Sequence, residues 1–135
     1  MLKVQSVVLV VDDKSPDLGL MAGALKRGGF SVITASDGAD AVRAHARHSD
    51  QIDLLITDVT MAPITGYELT DLLTTAQKDL RVLYISGSLD AEMLRHLLRD
   101  RNASFLRKPF TSDELLAKVS ETLPAQGERV QAVGG

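Results

Sequence analysis

Val7-Val8-Leu9-Val10-Val11-Asp12-Asp13 is the stretch on which the reading of this chain turns. Five apolar residues in a row, four of them β-branched, are too few for a helix. Their unbroken character is that of a strand covered on both faces, whereas a strand with one wet face would alternate apolar and polar residues. The run then ends abruptly in two neighbouring carboxylates. Charge placed at the rim of a buried strand is costly unless it is compensated, so Asp12 and Asp13 call for a cation nearby.

Four further runs have the same short form: Ser31 to Ala35, Asp53 to Thr57, Arg81 to Ile85 and Ser104 to Arg107. Helical patterns separate them. Ser15 to Arg27 carries the stripe Leu18, Met21, Ala22 and Leu25, with Ser15 placed to cap it, Pro16 suited to its first position, and Gly28-Gly29 to stop it. Ala39 to Arg47 follows an Asp37 cap, and Tyr67 to Thr75 follows Gly66. Asp90 to Arg99 aligns Ala91, Leu94, Leu97 and Leu98, with Asn102 as a left-handed stop. Thr111 and Glu114 form a capping-box pattern before Leu115, Leu116, Val119 and Leu123. Strands alternating with helices predict an α/β unit, a doubly wound parallel sheet of five strands. Pro124 ends the last helix, and the segment Ala125 to Gly135 has too little apolar content to fold by itself, so residues 1–123 are expected to be the domain and 124–135 a flexible tail.

Composition narrows the classes of function. The 135 residues include no cysteine, which removes thiolate chemistry and disulfide frameworks. The formal net charge is −3, and Lys26, Arg27, Arg43, Arg47, Arg95 and Arg99 are scattered over helical faces, where they read as solvated surface. Nucleic acid binding needs a concentrated basic face, so none is expected. No apolar run approaches the roughly 20 residues of a membrane span, and the start of the chain does not read as a signal peptide, so the expectation is a cytoplasmic protein without membrane contact. His45, His48 and His96 lack spaced partners and are expected at the surface.

In an open parallel sheet, ligands bind beyond the carboxyl ends of the strands, where the strand order reverses. The residues at those ends are Asp12 and Asp13, Asp58, Ser86 and Lys108. Three carboxylates at one edge repel one another unless a hard divalent cation lies among them, and an all-oxygen donor set suits Mg²⁺ better than zinc. Mg²⁺ characteristically bridges carboxylates to phosphate oxygens. Lys108 and Ser86 would supply a second positive charge and a hydroxyl donor for an incoming phosphoryl group, whose transfer depends chiefly on positioning and electrostatics. Asp58, alone on the third strand, is the natural carboxylate nucleophile.

Val10-Val11-Asp12-Asp13, Asp58 with Met61 and Gly66, Ser86-Gly87, and Lys108-Pro109-Phe110, taken in order, resemble the receiver domain of two-component response regulators over about residues 5 to 123. The resemblance implies a flavodoxin-like (βα)5 fold with strand order 2-1-3-4-5 and Asp58 as phosphoacceptor. It implies Asp13, Asp58 and the Thr60 main-chain carbonyl as direct Mg²⁺ ligands, and Asp12 acting through water. Ser86 and Lys108 would bind the phosphoryl group, and the peptide before Pro109 would be cis. Ser86 and Phe105 would act as the switch pair, and Thr60 and Ser88 would tune phosphoryl lifetime. The implied donor is a histidine kinase or a histidine phosphotransfer protein. The implied role is a signalling switch that catalyses only its own phosphorylation and dephosphorylation. One departure is the segment Met61-Ala62-Pro63-Ile64-Thr65, which sets the proline one place later than the family pattern, so an altered loop is expected there. The reading surface would be formed by Asp90 to Arg99, Ser104 to Arg107 and Thr111 to Thr122, with Met93, His96 and Leu97 as candidate partner contacts.

Two other functions fit parts of the pattern. An aspartate-nucleophile phosphohydrolase would use Asp58-Val59-Thr60, but its general acid two residues after the nucleophile is replaced by Thr60. A flavin-binding protein would share the architecture, yet Asp12 and Asp13 stand where a cofactor phosphate needs N–H donors.

Overall fold

The computed structural model describes residues 5–124; the expectation of a flexible tail concerns residues that, apart from Pro124, lie outside this range. Five strands alternate with five helices: β1 Val7–Val11, α1 Ser15–Arg27, β2 Ser31–Ala35, α2 Gly38–Arg47, β3 Leu54–Asp58, α3 Gly66–Ala76, β4 Arg81–Ser86, α4 Ala91–Arg99, β5 Ala103–Arg107 and α5 Ser112–Thr122. All strand pairs are parallel, in the order β2-β1-β3-β4-β5.

The unbroken apolar runs follow from this arrangement. Leu9 and Val11 belong to one core layer with Leu55, Val82, Tyr84, Leu69 and Met93, while Val8 and Val10 belong to the opposite layer with Leu54, Ile56, Leu83, Ile85, Leu25 and Val119. Successive strand residues point to opposite faces, so covering both faces demands apolar side chains at every position. Each fully buried Val, Leu or Ile contributes about 1.5–3 kcal/mol.

Several local expectations change. Lys14, not Ser15, is the N-cap of α1, and its side chain makes no cap hydrogen bond; Asp12 Oδ1 instead accepts the Lys14 N–H at 2.9 Å, leading the chain directly from strand to helix. Asp58 falls within β3, paired with Ile85, and Asp53 lies just before the strand, its Oδ2 accepting the Val7 N–H at 2.8 Å. Helix α3 begins one residue early, at Gly66, because Thr65 and Glu68 form a capping box with the same Thr-x-x-Glu spacing as Thr111 and Glu114. Asn102 is not left-handed: Asp100 closes α4 in extended conformation and its Oδ1 accepts the Asn102 N–H.

Helix α4 docks on a different face from the one its leucines suggested. Met93 is fully buried and Leu97 is partly buried against the core, whereas Ala91 and Leu94 are exposed and Leu98 is 84% exposed. A helix with apolar residues on more than one side has two possible stripes, and only the neighbouring elements select between them. Met93 is thereby removed from the surface. His96 lies half-buried, stacked on Tyr67 with ring centroids 4.1 Å apart and planes 7° from parallel. His45 is likewise not a surface histidine: it is buried on α2, with its Nε2 2.9 Å from Gln77 Oε1.

Candidate functional site

The strand order reverses between β1 and β3, and the two strands lie side by side with Val11 opposite Thr57. Their carboxyl ends deliver Asp12, Asp13 and Asp58 to one crevice, where one oxygen from each carboxylate lies within 4.8 Å of the other two. Asp12 and Asp58 are buried and Asp13 is exposed. On the far side of β3, Ser86 ends β4 and its carbonyl accepts the Lys108 N–H at 2.8 Å, which ties the β5–α5 turn to the same edge. Both Ala62-Pro63 and Lys108-Pro109 are cis, the second as the sequence pattern implied.

Gly66 brings α3 against the acceptor strand. A Cβ at this position would collide with the Asp58 carbonyl oxygen and Val59 Cα, and the Gly66 N–H donates to the Val59 carbonyl at 3.0 Å. In the shifted-proline loop, Met61 is buried in the core and Ile64 packs where a side chain on Gly38 would otherwise extend.

Asp58 is held from both oxygens. Oδ1 accepts the Thr60 N–H at 3.1 Å; Oδ2 accepts from Lys108 Nζ at 3.2 Å and from Lys14 Nζ at 2.8 Å. Lys14 Nζ also lies 3.0 Å from Asp13 Oδ1 and 3.7 Å from Asp12 Oδ1. Lys108 Nζ is shared with Asp17 of α1, whose Oδ2 is 3.8 Å away. Lys14 and Asp17 are the members of this cluster that the sequence pattern did not single out. Lys14 immediately follows the acidic pair, and the carboxylate repulsion there is itself a signal for a nearby ammonium.

The other expected residues lie around this cluster. Ser86 is buried at the edge of the site and its Oγ accepts the Ser88 N–H at 3.3 Å. Ser88 and Thr60 are exposed. Phe105 is half-buried, opposite Tyr84 in the β4–β5 pairing and packed against that residue's core layer. An open cavity of about 310 Å³ between α1 and the β5–α5 turn is lined in part by Asp12, Asp17, Met21, Lys108 and Phe110, leaving the acidic edge accessible from that side.

Electrostatically the two buried carboxylates diverge. Burial pushes Asp58 up, but hydrogen bonds from Lys14, the Thr60 N–H and Lys108 outweigh it and hold the group below the usual carboxylate value. Asp12 is raised: burial dominates, the Lys14 N–H opposes it, and the Asp58 charge adds to the rise. Asp12 Oδ2 is buried without a hydrogen-bond partner among the described residues. A buried, unpartnered carboxylate oxygen beside two further carboxylates is a fitting donor set for a hard divalent cation. Lys14 Nζ borders all three of these groups.

The comparisons with known proteins agree with this geometry. The family described as "Response regulator receiver domain" matches residues 8–120. The sensor kinase CckA of Brucella abortus is 30% identical over 121 residues, an alignment that covers 90% of this chain and 13% of the kinase, so the chain spans only a small part of that relative. Among solved structures, the chemotaxis protein CheY4 of Vibrio cholerae superposes with a TM-score of 0.81 at 24% identity, covering 89% of this chain and all of that one, a likeness of fold. A CheX–CheY–BeF3–Mg²⁺ complex from Borrelia burgdorferi contains a chain matched at TM-score 0.79 and 28% identity, over 86% of this chain and 87% of that one. A five-stranded parallel sheet in the order 2-1-3-4-5, with its acidic cluster at the strand-order reversal, and a family match spanning nearly all of the described residues lead to one assignment: this chain belongs to the response regulator receiver domain family.

Proposed function

We propose that the chain is a phosphoacceptor switch in which Asp58 takes a phosphoryl group from the phosphohistidine of a histidine kinase or phosphotransfer protein. The observation that carries this reading is the state of Asp58: a carboxylate with 3% of its side chain exposed, held ionised by two ammonium groups and one amide at the strand-order reversal. An Asp58 oxygen forms the bond to phosphorus as the phosphorus–nitrogen bond of the donor breaks, and the released imidazole takes up a proton. Lys108, anchored through its backbone to Ser86 and through its ammonium to Asp17, is placed to balance the charge on the transferred group. Asp13, Asp58 and the Thr60 carbonyl would hold Mg²⁺, with Asp12 acting through water, and the ion would supply further neutralisation of the phosphoryl oxygens.

The output is a population shift. Ser86 Oγ, which accepts the Ser88 N–H, turns to donate its own proton to a phosphoryl oxygen, and Phe105 turns further inward in response. Thr60 and Ser88, exposed beside the acceptor, govern the access of water and hence the lifetime of the acyl phosphate. Residues 1–123 form the switching unit. A downstream protein reads the face of α4, β5 and α5, with Leu94 and Leu98 rather than Met93 as the apolar groups available on α4.

Incubation with acetyl phosphate and Mg²⁺ followed by intact-mass measurement tests the reading. The protein is expected to gain one phosphoryl mass and Asp58→Asn none. An unmodified wild-type protein, or equal modification of Asp58→Asn, overturns it.

A further inference from the structure

The carboxylate oxygens that would hold Mg²⁺ already have a cation of the chain's own. Lys14 Nζ is 2.8 Å from Asp58 Oδ2 and 3.0 Å from Asp13 Oδ1, in the crevice where the three carboxylates converge. The residue is tethered at its other end as well: its N–H is held by Asp12 Oδ1, and as the N-cap of α1 it cannot move along the chain without unwinding the first turn. Its backbone is therefore fixed beside the acidic pair, while the side chain, 50% exposed, has an open path to solvent. That combination describes a displaceable counter-ion rather than a structural ion pair locked in the interior.

We propose that Lys14 is a tethered cation that competes with Mg²⁺ for the Asp13 and Asp58 oxygens, and so sets the metal concentration at which the site fills. An ammonium is a poor substitute for the metal in one respect: it donates hydrogen bonds but has no coordination sphere with which to bridge a carboxylate to a phosphoryl oxygen. With Lys14 inward, the carboxylates are neutralised and the folded chain tolerates the absence of metal; with Lys14 outward, their oxygens are free for coordination. The competition concerns the carboxylates alone. Its consequence for phosphorylation, that the chain becomes a competent acceptor only above a raised Mg²⁺ threshold, rests on the proposed role of Asp58.

The inference is tested by calorimetric titration of Mg²⁺ into the wild-type chain, Lys14→Met and Lys14→Arg. Methionine keeps much of the apolar stem, carries no charge and does not ligate Mg²⁺. Lys14→Met is expected to bind Mg²⁺ at least about tenfold more tightly, the equivalent of one charge-assisted hydrogen bond no longer displaced. Lys14→Arg is expected to bind no more tightly than wild type. Equal affinity of Lys14→Met and wild type overturns the inference, as does an arginine variant that binds as tightly as the methionine one. Thermal unfolding is a second reading: in EDTA Lys14→Met is expected to melt below wild type and to gain more from added Mg²⁺, and equal gains in the two proteins count against competition. Failure of the receiver reading would look different, because acetyl phosphate would leave both proteins unmodified at saturating Mg²⁺ while the difference in metal affinity remained.

Discussion

Lys14 Nζ and Asp58 Oδ2 stand 2.8 Å apart although 44 positions separate the two residues in the chain. The contact exists because β1 and β3 are adjacent parallel strands whose carboxyl ends reach the same level, so the residues that follow one meet the residue that ends the other. Together with Lys108 it gives Asp58 two ammonium partners on one oxygen and leaves the other oxygen to the Thr60 N–H. Asp12, buried next to them, has among the described residues only a backbone N–H on Oδ1 at hydrogen-bonding distance and nothing on Oδ2. The stability of the metal-free site is thus divided unequally between its two buried carboxylates.

Asp12→Asn is expected to stabilise the metal-free protein at neutral pH by about 1–3 kcal/mol, the usual scale for removing a buried, under-satisfied polar charge. The substitution keeps an oxygen to accept the Lys14 N–H. Because burial raises the folded-state value of Asp12, its contribution to stability is fully present below the unfolded value of about 3.9 and is lost as pH rises through the folded one. The gain from Asn should therefore vanish in acid. Urea unfolding in EDTA at several pH values measures it, and a gain that persists unchanged at low pH contradicts the assignment.

Asp58 has the opposite sign. Its folded-state value is held down by Lys14, the Thr60 N–H and Lys108 against the effect of burial, so its contribution is present above the unfolded value and lost as pH falls through the folded one. Asp58→Asn should accordingly lose most stability relative to wild type at neutral pH and approach it in strong acid. Parallel unfolding curves at all pH values would show that the two ammonium groups do not hold this carboxylate.

Gly66→Ala is expected to cost about 1–3 kcal/mol, the range for forced overpacking, because its Cβ meets the Asp58 carbonyl oxygen and Val59 Cα, neither of which is the end of a flexible side chain. The same displacement moves the acceptor strand, so phosphoryl uptake from acetyl phosphate should fall along with stability. Wild-type stability and uptake together would show that the α3 terminus shifts freely.

Met93→Ala and Leu98→Ala separate the two faces of α4. Met93 has no exposed surface, and its truncation should cost about 2–5 kcal/mol, whereas Leu98, 84% exposed, should stay within about 0.5 kcal/mol of wild type. Chemical denaturation of both variants reads the difference directly; a reversed order would place the leucine stripe inward.

Gln77→Ala removes a side chain that bridges two otherwise separate groups, with Oε1 2.9 Å from His45 Nε2 and Nε2 donating to the Ile52 carbonyl at 2.9 Å. Both partners are partly or wholly buried, so a loss of about 1–3 kcal/mol is expected from leaving them unsatisfied. A change below measurement error in urea denaturation would mean that water replaces the amide at no cost.

The strand ends were legible in the sequence because β1 and β3 are buried runs that stop at a charge, and β5, a half-buried edge strand, stops at Lys108-Pro109. Asp12 and Asp13 after Val11, Asp58 after Thr57 and Lys108 after Arg107 are displaced by at most one residue from the positions the apolar runs implied. Capping chemistry was legible where it is local: Asp37 and Thr111 cap the helices they precede, while Asp90, expected as the first residue of α4, is its N-cap. The capping box of Thr65 and Glu68 carries the same Thr-x-x-Glu spacing and was equally legible, whereas the Ser15 cap gave way to a hydrogen bond from the Lys14 N–H to Asp12. The faces of α4 and the burial of His45 were not legible, since each depends on which element packs alongside.

By itself, the order of residues determined the alternation of strand and helix, the family pattern and the collection of carboxylates, hydroxyl and lysine at one edge. These depend on local periodicity and on the rule that parallel strands share a carboxyl end. Only the tertiary structure decided that Lys14 enters the acidic crevice, that Asp17 shares Lys108, and that α4 turns Met93 inward and Leu98 outward. Those outcomes are set by distances between residues far apart in the chain, and a one-dimensional pattern specifies which side chains need partners without specifying which of several candidates the packed elements bring within reach.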